Sequence, residues 1–430
     1  MNFEYTHPRD QILKIMDRVY SHGMTTTSGG NLSVRERDGT IWITPASVDK
    51  GSLTWEDIVK VKPDGSVEGK HRPSSEFPFH RAIYEARPDL GSIVHAHPNA
   101  LVSYSIVRKV PPVNVIPQAY DVCRRVGFAA YALPGSERLG ANIAASFSEG
   151  NDSVILENHG VVCGGVNLLD AFGRFETLEF CGRLAINAGR LGKVRTLSEE
   201  QVALRKLEKH LLPEFDVEYR SSSEKAGRRH LCEIMKRAYD HELVSSLEGV
   251  ASVRLGDDRF LITPTGKDRG MLDVEDIVLI EGGNREAGKL PSRSVKMHEK
   301  VYRDHPWIGA ILTAQPICST AFCLTDTPFA SRTIPESYIL LRDAPKLPFG
   351  AQYSEESKVS QLVGKDHPVI LIENEAIMVV GAHLLEAYDR LEVAEFTASS
   401  LIDAESLGGL VEMGDDVIEE LAEAFFPDPS

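Results

Sequence analysis

No apolar run in the 430 residues approaches the ~18–20 needed to span a bilayer, so a membrane helix is not expected. The first residues, MNFEYTHPRDQILK, are polar and lack the apolar stretch of a signal peptide. Cysteine is scarce and unpatterned. Cys123, Cys163, Cys181, Cys232, Cys318 and Cys323 include no CxxC pair, and they read as reduced, packed small hydrophobes of a cytoplasmic protein. Positive charge is also short: 47 lysines and arginines against 63 aspartates and glutamates leave a net charge of −16. Such a surface repels phosphate backbones, which argues against nucleic acid as a partner. A small anion that feels only its local pocket is still allowed.

What is present is a soluble chain too long for one growing core, so two domains are expected. The sequence in fact states one unit twice. ILKIMDRVYSHGMTTTSGGNLSVR at 12–35 is echoed by LCEIMKRAYDHELVSSLEGVASVR at 231–254, and IWITPASVDKGSLTWEDIVKV at 41–61 by FLITPTGKDRGMLDVEDIVLI at 260–280. The offset is 219 residues from Ile43 to Ile262, 218 from Pro73 to Pro291 and 216 from Glu157 to Glu373. So small a drift leaves little room for insertion. The expected organisation is a domain at 1–212, a linker at 213–227 where Pro, Ser and Gly interrupt the helical pattern, and a second domain at 228–430.

Each unit mixes periods. DQILKIMDRVYSHG carries helical spacing and stops at a glycine, while NLSVRERDGTIWITPA reads as a hairpin turning at Asp38–Gly39. PFHRAIYEARPD predicts a short helix, LGSIVHAHP and DSVILENHG predict strands, and the stretch from Leu168 predicts a long helix. Helices packed on a sheet with hairpins give an α/β class, two tandem layered domains each around a mainly antiparallel sheet.

Side chains alternate along a strand, so His95 and His97 share a face and can share a metal. His159 leaves a second strand just before Gly160, and Glu76 stands ahead of a predicted helix. Glu76 has two readings: a fourth member of a metal site, or a helix-start carboxylate favoured by the macrodipole. The second unit is an internal control. Its counterparts of His95, His97, His159 and Glu76 are Thr313, Gln315, Glu375 and Ser294. All four change together while the surrounding strings stay legible, so one unit is expected to bind metal and the other not.

The set TTSGGNLSVR, WITPAS, RPSSEFPFH, VHAHP and ENHG resembles the class II aldolase/adducin family. The resemblance implies a three-layer α/β/α domain, Zn2+ or another divalent transition metal on His95, His97 and His159, and Glu76 as catalytic acid/base. It implies a phosphate cradle at Gly30, Asn31, Ser47, Ser74 and Ser75, although Ala46–Ser47 stands where the second unit keeps Thr265–Gly266. Tyr120 is the nearest match to a tyrosine that family aldolases take from a neighbouring subunit. The implied activity is reversible cleavage of a small ketose, a sugar phosphate, into a ketone such as dihydroxyacetone phosphate and an aldehyde. Alternatives on the same site are epimerisation, dehydration or decarboxylation; a non-catalytic adducin-like interaction protein is another, as is a zinc-dependent hydrolase. The implied assembly is a homo-oligomer, a dimer of two-unit chains forming a pseudo-tetramer.

Overall fold

The computed structural model describes residues 3–204, 212–256, 258–353 and 358–426. The chain divides into two compact units, one of 1–113 with 119–183, the other of 114–118 with 184–430.

The first unit is built on eight strands: β1 (Asn31–Arg35), β2 (Ile41–Ile43), β3 (Val59–Val61), β4 (Val67–Glu68), β5 (Ser92–Ala96), β6 (Val126–Ala129), β7 (Ser153–Leu156) and β8 (Gly160–Gly165). Their order across the sheet is β4-β3-β2-β1-β5-β8-β7-β6, antiparallel except for the edge pair β6–β7. The β1–β2 hairpin turns through Gly39 at φ +87°, a left-handed value that glycine adopts without cost. Strand alternation then splits the core in two. Val94, Ala96, Val161 and Cys163 pack with the helices Pro8–Ser21 and Leu168–Leu191 on one face. Ile93, Val154 and Val162 pack with the helices Phe77–Ala86 and Glu137–Ser148 on the other. Two covered faces make three layers, as expected.

The second unit repeats the plan. Its strands are β9 (Glu214–Phe215), β10 (Val250–Gly256), β11 (Arg259–Ile262), β12 (Val278–Glu281), β13 (Asn284–Glu286), β14 (Ala310–Ala314), β15 (Lys346–Leu347), β16 (Val369–Ile372) and β17 (Ala376–Gly381). The order β15-β16-β17-β14-β10-β11-β12-β13-β9 is that of the first sheet, with β9 added at one edge. The stretch 213–227, expected as a linker, carries β9 and the start of the helix Ser222–Asp240. No disulfide joins any of the six cysteines. Among the described residues, no helix is long and apolar enough to cross a membrane.

Candidate active site

β5 brings the two histidines of VHAHP to one place. His95 pairs with Asn31 across to β1 and with Val162 across to β8, and its side chain is fully buried. Its Nδ1 lies 2.9 Å from the Val161 carbonyl oxygen. A carbonyl can only accept, so Nδ1 carries a proton, and Nε2 is the nitrogen turned toward the other site residues. His97, just beyond the strand end, sets its Nε2 3.1 Å from that of His95. His159 enters from the β7–β8 turn, where Asn158 takes a left-handed φ of +53° that asparagine tolerates better than most residues. The three rings lie 4.9–5.0 Å apart, centre to centre, and one ligand atom from each falls within 4.8 Å of the others.

Gly160 makes that approach possible. A Cβ there would stand 2.6 Å from the Ala96 carbonyl oxygen and 2.7 Å from His97 Cδ2, both far inside contact distance. The second unit has Ala376 at this position and Gln315 in place of His97.

Glu76 precedes the helix Phe77–Ala86 but does not cap it; its side chain makes no capping hydrogen bond. It turns instead to the histidines, Oε2 at 3.1 Å from His95 Nε2 and Oε1 at 3.4 Å from His159 Nε2. Oε1 is buried and makes no hydrogen bond. Burial opposes its charge, but His95, His159 and the Asn31 amide outweigh that and hold the carboxyl well below the usual carboxylate range. Burial, reinforced by His95, lowers His97 to about 3 and His159 to about 4. Both imidazoles are therefore neutral at pH 7, the state that ligates a metal. Two adjacent imidazoles with lone pairs converging on one point, and a buried carboxylate oxygen without a donor, fit a divalent transition ion.

A chain of hydrogen bonds runs inward from Glu76, and sequence reading missed most of it. Asn31 Nδ2 donates to Glu76 Oε2 at 2.8 Å, and Asn31 Oδ1 faces His80 Nε2 at 2.5 Å. The carboxylate accepts only, which fixes the amide orientation and makes Nε2 of His80 the donor. Ser33 Oγ then serves His80 Nδ1 at 2.7 Å and meets Tyr84 OH at 2.8 Å. The signal was available: SEFPFH ends in the histidine that SVKMH keeps as His298. Asn31 thus spends its oxygen and one amide proton inside the protein, which leaves its second amide proton for another acceptor.

Ser47, Ser74 and Ser75, expected as cradle residues, gather at two loops. An isolated bridge joins Pro45 to Pro73, and Ser74 N donates to the Thr44 oxygen at 3.1 Å, so Ser47 lies on one loop beside the Ser74–Ser75 loop. Ser74 is buried, while Ser47 and Ser75 are exposed. Lys50 Nζ ties the first loop by donating to the Pro45 and Val48 oxygens, each at 3.0 Å. Ser47 holds φ +57°, where its counterpart Gly266 holds +70°. A serine there costs about 1–2 kcal/mol. Gly30, at φ +74°, lets the backbone pass the His95 carbonyl oxygen, which a Cβ would meet at 2.9 Å. Tyr120, on the helix Pro117–Cys123, makes no hydrogen bond or ring contact with Glu76 or the histidines.

The chain is 34% identical over 178 residues to an L-fuculose phosphate aldolase of Methanocaldococcus jannaschii, covering 41% of this chain and 95% of the relative. It is 30% identical over 197 residues to a 5-deoxy-D-ribulose 1-phosphate aldolase of Bacillus thuringiensis, covering 45% and 91%. It is also 33% identical over 198 residues to a 3-oxo-tetronate 4-phosphate decarboxylase of Haemophilus influenzae, covering 45% and 93%. A solved L-fuculose 1-phosphate aldolase is 32% identical, covering 47% of this chain and 96% of its own, with a TM-score of 0.42. The family model of the class II aldolase and adducin N-terminal domain matches residues 10–186 and again 229–402. The chain therefore belongs to the class II aldolase and adducin family and carries that domain twice.

Proposed function

We propose that the chain is a divalent-metal-dependent aldolase that reversibly cleaves a small ketose phosphate to a ketone such as dihydroxyacetone phosphate and an aldehyde. The observation that carries this reading is the convergence of His95, His97 and His159 with Glu76 against two of them. The reading takes 1–212 as the catalytic domain and 228–430 as its companion, joined by 213–227. Zinc is the first metal to test, with Co2+, Mn2+ and Fe2+ as competitors at a histidine site. A homodimer of two-unit chains is the proposed assembly, and cysteines outside any disulfide suit the reducing cytoplasm.

His95, His97 and His159 would hold the ion, which when bound supplies Lewis-acid stabilisation of the negative charge that develops as a carbon–carbon bond breaks. The chain's own residues do the rest. Retro-aldol cleavage removes a proton from the hydroxyl that becomes the aldehyde and returns one to the carbon that loses its bond. Glu76, buried and held by Asn31, is proposed to make the second transfer. Tyr120 or water is proposed to make the first. The Ser47, Ser74 and Ser75 loops would orient the phosphate beside the start of the helix Phe77–Ala86, whose partial positive charge favours an anion.

Chelation should abolish cleavage and zinc should restore it; activity indifferent to chelator and to His97→Ala ends the reading. Decarboxylation of a β-keto acid phosphate is the second reading, supported by the similarity to decarboxylases at 31–33% identity. Release of CO2 without an aldehyde product decides for it.

A further inference from the structure

The second unit has not closed over the place where its metal ligands would be. A cleft with a cavity volume of about 140 Å3 remains there, open to solvent at its mouth and with room for several water-sized groups. Its residues belong to the second compact unit.

The two ends of the cleft differ in chemistry. One end is made by the Thr265–Gly266–Lys267 loop and by Ser292–Arg293–Ser294, where the helix Val295–Asp304 begins. A bridge between Pro264 and Pro291, with Thr265 N donating to the Leu290 oxygen, locks these loops together. Arg269 is not the ligand-facing cation. It is 5% exposed and gives its N–H groups to the oxygens of Gly249, Pro264 and Lys267. Its charge lies beside Glu248, which also lines the cleft. That leaves Lys267, 2.9 Å from Asp276, and Arg293, whose Nη2 donates to Gln118 Oε1 at 2.9 Å. Both have further donors, and the helix start adds partial positive charge.

The other end is made by the residues that stand where the first unit has its histidines. Glu375 Oε2 accepts from Gln352 Nε2 at 3.1 Å and Tyr353 OH at 3.2 Å. Gln315 is 7% exposed, and its Oε1 is buried without a hydrogen-bond partner; Thr313 Oγ1 is in the same state. An orphaned buried oxygen is costly, and a unit with only scaffolding to do would be better served by apolar side chains. With one carboxylate and neutral oxygens in place of three imidazoles, the donor set no longer suits a transition metal.

We propose that the second unit is a metal-independent binding site for a small organic anion bearing hydroxyl groups. The anionic end sits at Lys267, Arg293 and the start of the helix Val295–Asp304, and the hydroxyls satisfy the Gln315 oxygen and reach toward Glu375. This holds whether or not the first unit is an aldolase.

The test is titration calorimetry on the full chain in EDTA, in a Ser75→Asp background that sets a carboxylate in the first unit's serine loop. The probes are sn-glycerol 3-phosphate and D-glycerate, with glycerol as the uncharged control. Binding of the phosphate alone, the carboxylate alone or both supports the site and says which anion it takes. Arg293→Gln and Gln315→Leu should each weaken that binding on the order of tenfold, the loss of one charge-assisted or buried hydrogen bond. Lys267→Gln serves where either variant fails to keep the parent's unfolding midpoint. Failure of both probes at millimolar concentration overturns the proposal, as does affinity unchanged by the substitutions or recovered only on adding metal.

Discussion

Asn31 Oδ1 lies 2.5 Å from His80 Nε2 while its Nδ2 donates to Glu76 Oε2, so one amide joins a fully buried histidine to the site carboxylate. The second unit keeps the inner half of this chain, with Ser252 Oγ at 2.8 Å from His298 Nδ1 and 2.7 Å from Tyr302 OH. Val250 stands where Asn31 would be, and His298 Nε2 is left without a partner. The serine–histidine–tyrosine part is therefore scaffold common to both units, and the asparagine–glutamate end belongs to the site alone.

Asn31→Leu should accordingly lower kcat on the order of 10–100-fold, the usual cost of removing an outer partner from a catalytic or ligating group. The metal should stay bound at saturating concentration, because no imidazole contact is lost. Steady-state kinetics paired with metal content check both halves. A variant that loses its metal while keeping kcat per bound ion would show that Asn31 serves binding only.

Elemental analysis of the purified chain should return about one divalent ion per 430 residues. His95→Ala, His97→Ala and His159→Ala should each bring that to near zero after dialysis, since two imidazoles hold a transition ion far more weakly than three. Two ions per chain would mean that the oxygen-lined cleft of the second unit binds metal too.

Gly160→Ala should cost about 1–3 kcal/mol by overpacking, because the new methyl meets the Ala96 carbonyl and the His97 ring. Metal affinity should fall with it as His97 is displaced. The reverse change in the second unit, Ala376→Gly, should cost only about 0.5–1 kcal/mol of backbone entropy in a strand. Denaturant titration and metal titration measure the two variants side by side.

Much of this was legible in the sequence because strand alternation is strict. His95 and His97 had to share a face, Gly160 had to admit something close, and the near-constant offset had to repeat a sheet order. Glu76 was ambiguous because a carboxylate before a helix has two good uses, and only its distance from His95 and His159 separates them. The link from Asn31 to His80 could not be read, since it joins residues 49 apart across a strand and a helix. Nor could the cleft of the second unit. Replacement of histidines by threonine, glutamine and glutamate reads as loss, and whether the space collapses depends on packing that a sequence does not display.

His298 makes stability depend on pH in a defined window. Burial lowers its folded pKa to about 3, against about 6.5 for an unfolded chain. Between those values the unfolded state binds a proton that the folded state refuses, so stability rises with pH there and falls as the solution is acidified. Above about pH 6.5 neither state is protonated and the contribution is flat. Each such histidine adds a slope of about 1.4 kcal/mol per pH unit inside the window, and His80, also lowered to about 3, adds a second. His298→Leu should therefore reduce the slope between pH 4 and 6 by about 1.4 kcal/mol per unit, whatever it does to stability at pH 7. Denaturant midpoints at half-unit intervals supply the slope. An unchanged slope would mean that His298 takes up its proton in the folded chain, through a partner for Nε2.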